Sequence, residues 1–403
     1  MSLVSVTPKA LAIHGGSPVR ESLLPYGRQA LDETDIQTVV DVLRSDWLTT
    51  GPKVGEFEEA FAARVGAAHA VSFSSGTAAL HGAAFAAGLK PGDEAVTSPM
   101  TFAATANCVL YQGATPVFAD ISPDTLNIDP EQIEKRVSSR TRALLAVDYA
   151  GHPADLDPIL EIAKRHNLIV IEDACHALGA EYRGRRVGSI ADMTVFSFHP
   201  VKHITTGEGG MVATNNPELA ETLRRFRNHG ISSEARQRQS AGQWHYEMVL
   251  LGYNYRLTDI ACALGLEQMK RLDSNLARRR EIAARYTAAF REIRGVIPPA
   301  VRAEVNPAWH LYPIRLDIEK LAADRGEVFR ALRAENIGVN VHYIPVHYHP
   351  YYRERFGDKR GEFPVAEDAY ERLISLPMFH AMTDGDIEDV IQAVTKVAAH
   401  YAK

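Results

Sequence analysis

The spacing of apolar residues changes several times along this chain, and each change predicts an element. Between residues 32 and 45, Ile36, Val39, Val40 and Leu43 recur at helical spacing, which predicts a helix. A second helix is predicted over 53–64. From residue 70 onward, short β-rich runs at 70–73, 94–98, 115–119, 143–148, 168–172, 193–198 and 210–214 alternate with helical stretches. Those stretches fall at 76–87, 102–111, 130–137, 156–166 and 217–227. Short apolar strands with helical crossovers predict an α/β fold, a mostly parallel sheet covered on both faces.

After Leu257 the pattern turns helical from 259 to about 293. It carries the basic run Arg278-Arg279-Arg280, which reads as a solvated helix face. Val296-Ile297-Pro298-Pro299 breaks the pattern and marks a smaller α+β region. There, 310–315 and 338–342 are predicted as strands, and 325–335 and 384–399 as helices. The expected division is an N-terminal arm (1–31), a large domain (32–275), and a long helix with a small C-terminal domain (276–403). No internal repeat or low-complexity tract interrupts this plan.

A chain of 403 residues, 46% hydrophobic and 23% charged, can bury the cores of two domains. Its formal charge of -6 is not the footprint of a nucleic-acid binder. The 3 cysteines, Cys108, Cys175 and Cys262, are far apart and suit no disulfide framework. There is no basic-then-apolar leader, and no apolar run near the ~20 residues of a membrane span. A cytoplasmic protein with reduced cysteines, off the membrane, is the expectation.

Three segments carry candidate chemistry. In SFHPVKHITTGEGG (197–210), a predicted strand ends and Lys202 follows almost at once, flanked by His199 and His203. A partly desolvated Lys beside other cations has a lowered pKa and can attack a carbonyl. In IVIEDACHALGA (169–180), an apolar strand delivers Glu172 and Asp173 at its C-terminal end, where ligands bind in open α/β sheets. Successive strand residues face opposite ways, so only one of the two need face a cleft. Such a carboxylate suits a pyridinium nitrogen. It also suits a metal together with His176, though no third ligand lies nearby. In FSSGTAAL (73–80), a strand, a small polar turn and an Ala-rich helix offer free amides to a phosphate, or simply cap a helix. Together the three segments point to pyridoxal phosphate and to no metal. His347 and His349 near His342 do not make a metal site at that spacing.

With these motifs in place, the chain resembles the pyridoxal-phosphate sugar aminotransferases of the DegT/StrS family. The resemblance runs from LPYGRQ (24–29) through WLTTGP, SSGTAAL, PMTFAATAN, EDACHALG, SFHPVKHITTGEGG and GYNYR to VHYIPVHYHPYY (341–352). It implies the aspartate-aminotransferase fold (fold type I). PYGRQ, SFHPVK and the VHY-x-P segment look most like the branch of pseudaminic acid synthesis, which serves surface polysaccharides and flagellin glycosylation. That branch aminates C4 of a UDP-linked 4-keto-6-deoxy-N-acetylhexosamine with glutamate as donor.

By the same resemblance, Lys202 would carry the cofactor and shuttle the proton, and Asp173 would pair with the ring nitrogen. Gly76, Thr77 and Ser197 would hold the phosphate, Phe102 would stack on the ring, and His176 would lie beside it. Asn254 would reach the site of the partner in a homodimer with shared active sites. Tyr26, Trp47, Thr49, His342 and Tyr343 match positions lining the nucleotide-sugar pocket. One departure is His203, where the branch commonly has Pro; it changes the local turn or adds a titratable group. The rivals are amination at C3 or of another, for example dTDP-linked, sugar, and a non-catalytic sensor on the same fold. The 3-dehydrase variants of the family have His at the position of Lys202.

Overall fold

In the computed structural model of this chain, residues 10–232, 238 and 241–403 are described, so Met1–Lys9 of the expected arm lie outside them. The central sheet has 7 strands in the order β1-β9-β8-β5-β4-β2-β3. They are β1 (His69–Phe73), β2 (Glu94–Thr97), β3 (Thr115–Phe118), β4 (Thr141–Val147), β5 (Ile169–Asp173), β8 (Met193–Ser197) and β9 (Gly210–Thr214). β9 runs antiparallel to β1 and β8, and the other pairings are parallel. Every strand of this sheet was expected from the apolar runs, and the ends differ by two residues at most.

Alternation along the strands explains why both faces are covered. Leu145, Ile171 and Val195 pack with the helices α3 (Gly76–Ala86), α4 (Ala103–Tyr111) and α7 (Pro217–Phe226). Their neighbours Leu144 and Val170 pack on the other face with α5 (Pro130–Arg136) and α6 (Leu156–His166). On that face, too, Phe196 and Phe198 meet Phe57 and Phe61 of α2 (Pro52–Val65) at ring separations of 5.1 to 5.4 Å. Asp32 caps α1 (Glu33–Leu43) in a capping box with Asp35. A short ribbon joins β6 (Glu181–Tyr182), β7 (Arg185–Arg186) and β11 (Val305–Asn306).

The helical stretch after Leu257 is two helices. α8 (Asp259–Met269) ends at Lys270, and α9 (Leu272–Phe290) starts after Arg271, whose backbone is outside the helical region. Leu272 and Leu276 of α9 pack in the core beside the large sheet. Its later residues Ile282, Tyr286 and Phe290 pack against a second, antiparallel sheet. That sheet orders β10 (Val296–Ile297), β12 (Tyr312–Leu316) and β13 (Leu373–Leu376). The segment 338–342, expected as a strand, is irregular and makes one bridge, Asn340 to Ser375. The strand lying against β12 is β13, brought in from beyond α10 (Arg325–Ala334), α11 (Pro350–Phe356) and α12 (Pro364–Arg372). The chain closes with α13 (Asp384–Tyr401). Among the described residues, no helix is long and apolar enough to cross a membrane.

The N-terminal arm is pinned by one buried carboxylate. Glu335, fully buried, accepts the amides of Ala12 and Val19 at 2.9 Å and pairs with Lys396 at 2.8 Å. Beyond this anchor, Leu24 donates to the Asn336 carbonyl and accepts from the Gly338 amide, and the Met378 amide donates to the Tyr26 carbonyl. Replacing Glu335 by Ala strands the Lys396 charge and two amides, at a cost on the order of 3 to 5 kcal/mol. Glu335→Ala is expected to lower the urea midpoint and to expose the arm to protease first. A variant with the wild-type midpoint and an uncut arm contradicts this anchor.

Candidate active site

The parallel strands of the sheet deliver their C-terminal ends to one edge, and a cavity of about 630 Å³ opens there. β5 ends on Asp173, β8 ends on Ser197, and the turn after β8 carries Lys202. α3 begins at Gly76, capped by the Ser75 hydroxyl, so its first amides face the same edge. The opposite wall comes from the arm and the small-sheet region: Tyr26, His310 and the segment Asn340–Tyr343. Tyr149 steadies that segment by donating its hydroxyl to the His342 carbonyl at 2.5 Å.

Lys202 is surrounded by imidazoles. Its Nζ lies 3.4 Å from His310 Nε2, and the His310 ring sits 4.4 Å from that of His176. His176 Nε2 is 2.9 Å from the Tyr343 hydroxyl. Burial lowers the Lys202 pKa, with the Arg279 charge adding to the effect against Cys175 and Asp173. Burial also holds His176, His203 and His310 well below the usual imidazole range, and moves His342 down to about 4. These rings are therefore neutral acceptors or donors at neutral pH.

The two adjacent carboxylates of β5 part company. Asp173 lines the cavity, where Oδ2 accepts from the Thr105 hydroxyl at 2.6 Å and Oδ1 from the Cys175 amide at 3.2 Å. Thr101 in turn meets Thr105 at 2.7 Å, one helical turn away. Glu172 points to the other face, accepting from Thr194 at 2.8 Å, with its carboxyl close to that of Asp148. Burial and the mutual proximity of these two carboxyls raise the Asp148 pKa; burial moves that of Glu172 up to about 7.

Of the residues expected from sequence, Lys202, Asp173, Gly76, Thr77, Phe102, His176, Ser197, Tyr26, His342 and Tyr343 line this one cavity. Phe102 stands at the start of α4, 60% exposed, with its ring 6.1 Å from Tyr343. Trp47, Thr49 and Asn254 lie outside the cavity lining of the single chain. Thr49 bridges to Thr258, and the exposed Asn254 bridges to Asn228. His347, in a short 3-10 turn rather than a strand, pairs with Glu367 at 3.1 Å. The basic run does not behave as a solvated face. Arg279 is 1% exposed and donates to the carbonyls of Trp309, His310 and Met378. Sequence reasoning missed His310, Thr105 and Arg279. The four-residue spacing of Thr101 and Thr105 was a visible signal; His310 and Arg279 had none, because long-range packing places them.

Pyridoxal phosphate fits this donor set. A Cβ at Gly76 would lie 3.0 Å from Ser197 Cβ, so the missing side chain leaves the amides of α3 open to the cavity. A carboxylate suited to a pyridinium, a buried amine and a phosphate seat share one cleft. His176 Nδ1 is buried with no hydrogen-bond partner among the described residues, so the ring has capacity for one more contact.

Comparison with known proteins agrees. The DegT/DnrJ/EryC1/StrS aminotransferase family model matches residues 29–395. The spore coat polysaccharide biosynthesis protein SpsC of Bacillus subtilis is 48% identical over 94% of this chain and 98% of its own. Helicobacter pylori PseC, an aminotransferase involved in the biosynthesis of pseudoaminic acid, has TM-score 0.87 and 34% identity, covering 94% of this chain and all of its own (100%). The putative sugar aminotransferase Spr1654 of Streptococcus pneumoniae, in its PMP form, has TM-score 0.88 and 31% identity over 94% of this chain and 99% of its own. The chain belongs to the DegT/DnrJ/EryC1/StrS aminotransferase family, and its fold is fold type I.

The Asp148–Glu172 pair generates a pH prediction. The native pair keeps a proton that the unfolded chain, with Glu at 4.5, has released, so Glu172 makes stability fall as pH rises from 4.5 through about 7. Buried neutral histidines act oppositely below 6.5, where the unfolded chain takes up their protons first. Glu172→Gln keeps a donor toward Asp148 and removes the titration. Urea melts across this range should show the wild type losing stability relative to the variant as pH rises. A constant difference between the two contradicts the shared proton.

Proposed function

We propose that this chain transfers an amino group from glutamate to C4 of a UDP-linked 4-keto-6-deoxy-N-acetylhexosamine, as a cytoplasmic step toward a surface polysaccharide. The enzyme is a pyridoxal-phosphate-dependent sugar aminotransferase. The observation that carries the finer reading is the convergence of Lys202, Asp173 and the α3 amides on one cavity whose far wall holds Tyr26, His342 and Tyr343. The 34% identity to PseC supports a role in pseudaminic acid synthesis, the branch to which this sugar belongs. The higher identity to SpsC favours a second reading, the same chemistry on another nucleotide keto-sugar.

The residues divide the work as follows. Gly76, Thr77 and Ser197 hold the phosphate through amides and a hydroxyl at the positive end of α3. Asp173, fixed by Thr105 and the Cys175 amide, holds a proton on the ring nitrogen. Phe102 and His176, the latter tied to Tyr343, would hold the ring. Bound pyridoxal phosphate supplies the electron sink for the carbanion at the amino-bearing carbon. Lys202, whose pKa burial lowers, takes the proton from Cα of glutamate and later returns one to C4 of the sugar. Tyr26, Trp47, Thr49, His342 and Tyr343 bind the nucleotide-sugar.

Asn254 serves the site of a second copy. It is exposed, outside its own cavity, and follows a stretch where Trp244, Met248 and Leu251 are 84%, 68% and 73% exposed. Such a run of large apolar side chains fits burial against another chain of a homodimer.

Purified protein should be yellow, and glutamate should bleach the band. Lys202→Ala should bind cofactor yet show no turnover; ordinary turnover removes Lys202 from the mechanism. Asp173→Asn should slow the bleaching by glutamate on the order of 100-fold, and a wild-type rate refutes its role. A screen of UDP- and dTDP-keto-sugars, with NMR locating the new amine, separates the two substrate readings. Lys202→Ala and Asn254→Ala chains refolded together should recover roughly a quarter of wild-type activity, because mixed dimers hold one intact site. A mixture as inactive as its parents rules out shared sites.

A further inference from the structure

His310 is placed with unusual constraint for a loop residue. The segment Ala308–Leu311, just before β12, is held from several sides. Ala308 donates to the Gly151 carbonyl at 2.9 Å, and Leu311 donates to that of Ala150 at 3.3 Å. Gly151, with φ +96, permits this approach, since a Cβ there would lie 2.7 Å from the Trp309 nitrogen and 2.9 Å from that of His310. His203 Nε2 reaches the Ala308 carbonyl at 3.0 Å. Arg279 Nη1 donates to the Trp309 and His310 carbonyls at 3.1 and 3.3 Å, and ties them to Met378 at 3.0 Å. Trp309 itself takes a left-handed φ of 52, a conformation such contacts must maintain.

All of this fixes one imidazole over one amine. His310 is 5% exposed, and its Nε2 lies 3.4 Å from Lys202 Nζ. A free amine keeps its lone pair when it donates an N–H to Nε2, which places the ring proton on Nδ1, an atom with no hydrogen-bond partner among the described residues. Burial, the Lys202 charge and the neighbouring rings of His176 and His203 all disfavour protonation of His310, and Arg279 adds a further cation. The remaining ionisable groups facing Lys202 are Asp173, Cys175 and His342. Of all these, the Lys202 amine has a side-chain hydrogen-bond contact with His310.

We propose that His310 is a further catalytic residue, whose Nε2 holds the Lys202 amine whenever that amine is free and leaves its lone pair turned to the cavity. His203 and Arg279 are the positioning residues that hold His310 there. The assignment rests on Lys202 being the reacting amine. It also gives His203, in place of the branch's Pro, a contact that Pro cannot make.

The test begins by reducing the wild-type holoenzyme with borohydride and mapping the modified lysine by mass spectrometry. A modified lysine other than Lys202 overturns the functional reading itself. Full-length His310→Phe and His310→Gln are then compared; Phe keeps a ring against His176, and Gln keeps an acceptor. After removal of the cofactor, acetic anhydride at neutral pH should acetylate Lys202 several-fold more slowly in His310→Phe, and at nearly the wild-type rate in His310→Gln. In the holoenzymes, bleaching by saturating glutamate should slow roughly 10- to 100-fold in His310→Phe, with the half-saturating glutamate concentration unchanged. Gln should restore most of that rate. If His310→Phe does not fold by circular dichroism, His310→Ala takes its place under the same criteria. Equal acetylation rates overturn the contact, and altered acetylation with an unchanged bleaching rate overturns the catalytic role.

Discussion

Desolvation at the C-terminal edge of the sheet is the constraint on which the rest of the site depends. An amine withdrawn from water loses its charge more readily, and so do imidazoles packed beside it. Lys202, His176, His203, His310 and His342 all lie within this dry volume, and each is shifted toward its neutral form. Asp173 faces the same cavity, with a hydroxyl and an amide donating to its two oxygens. Arg279 lies in the same interior, its Nη1 donating to three carbonyls. Neutral imidazoles, a buried amine, a hydrogen-bonded carboxylate and one fixed guanidinium are thus held close together.

The fold makes that enclosure by joining two sheets through a long helix and an arm. The large sheet alone presents Asp173, Ser197, Lys202 and the start of α3 on an open edge. α9 packs against both cores, and the arm runs back to place Tyr26 opposite, 5.5 Å from the His342 ring. Glu335 is far from the cavity, yet it fixes the arm that supplies this wall. Packing energy remote from the site is therefore linked to the shape of this second wall, which carries Tyr26, His342 and Tyr343.

The sequence by itself determined the parts governed by local geometry. Backbone pleating forces period-two alternation, so the strands of the large sheet and their order of appearance were legible. Lys202 and Asp173 were legible because strand ends in such a sheet share one edge. Strand geometry left the choice between Asp173 and Glu172 open and the resemblance favoured Asp173; the register of β5 turns Glu172 to Thr194 and Asp148. Tertiary structure alone decided what depends on contacts between distant segments. Residues 338–342 look strand-like, but β13 occupies the place beside β12. Arg279 has the sequence context of a solvated helix residue, and only the approach of Trp309 and Met378 buries it. His310 is an isolated histidine in the sequence, 108 residues from Lys202; closure of the chain brings their nitrogens together. Local periodicity records which way a side chain points, whereas the partner it meets is set by the packing of the whole chain.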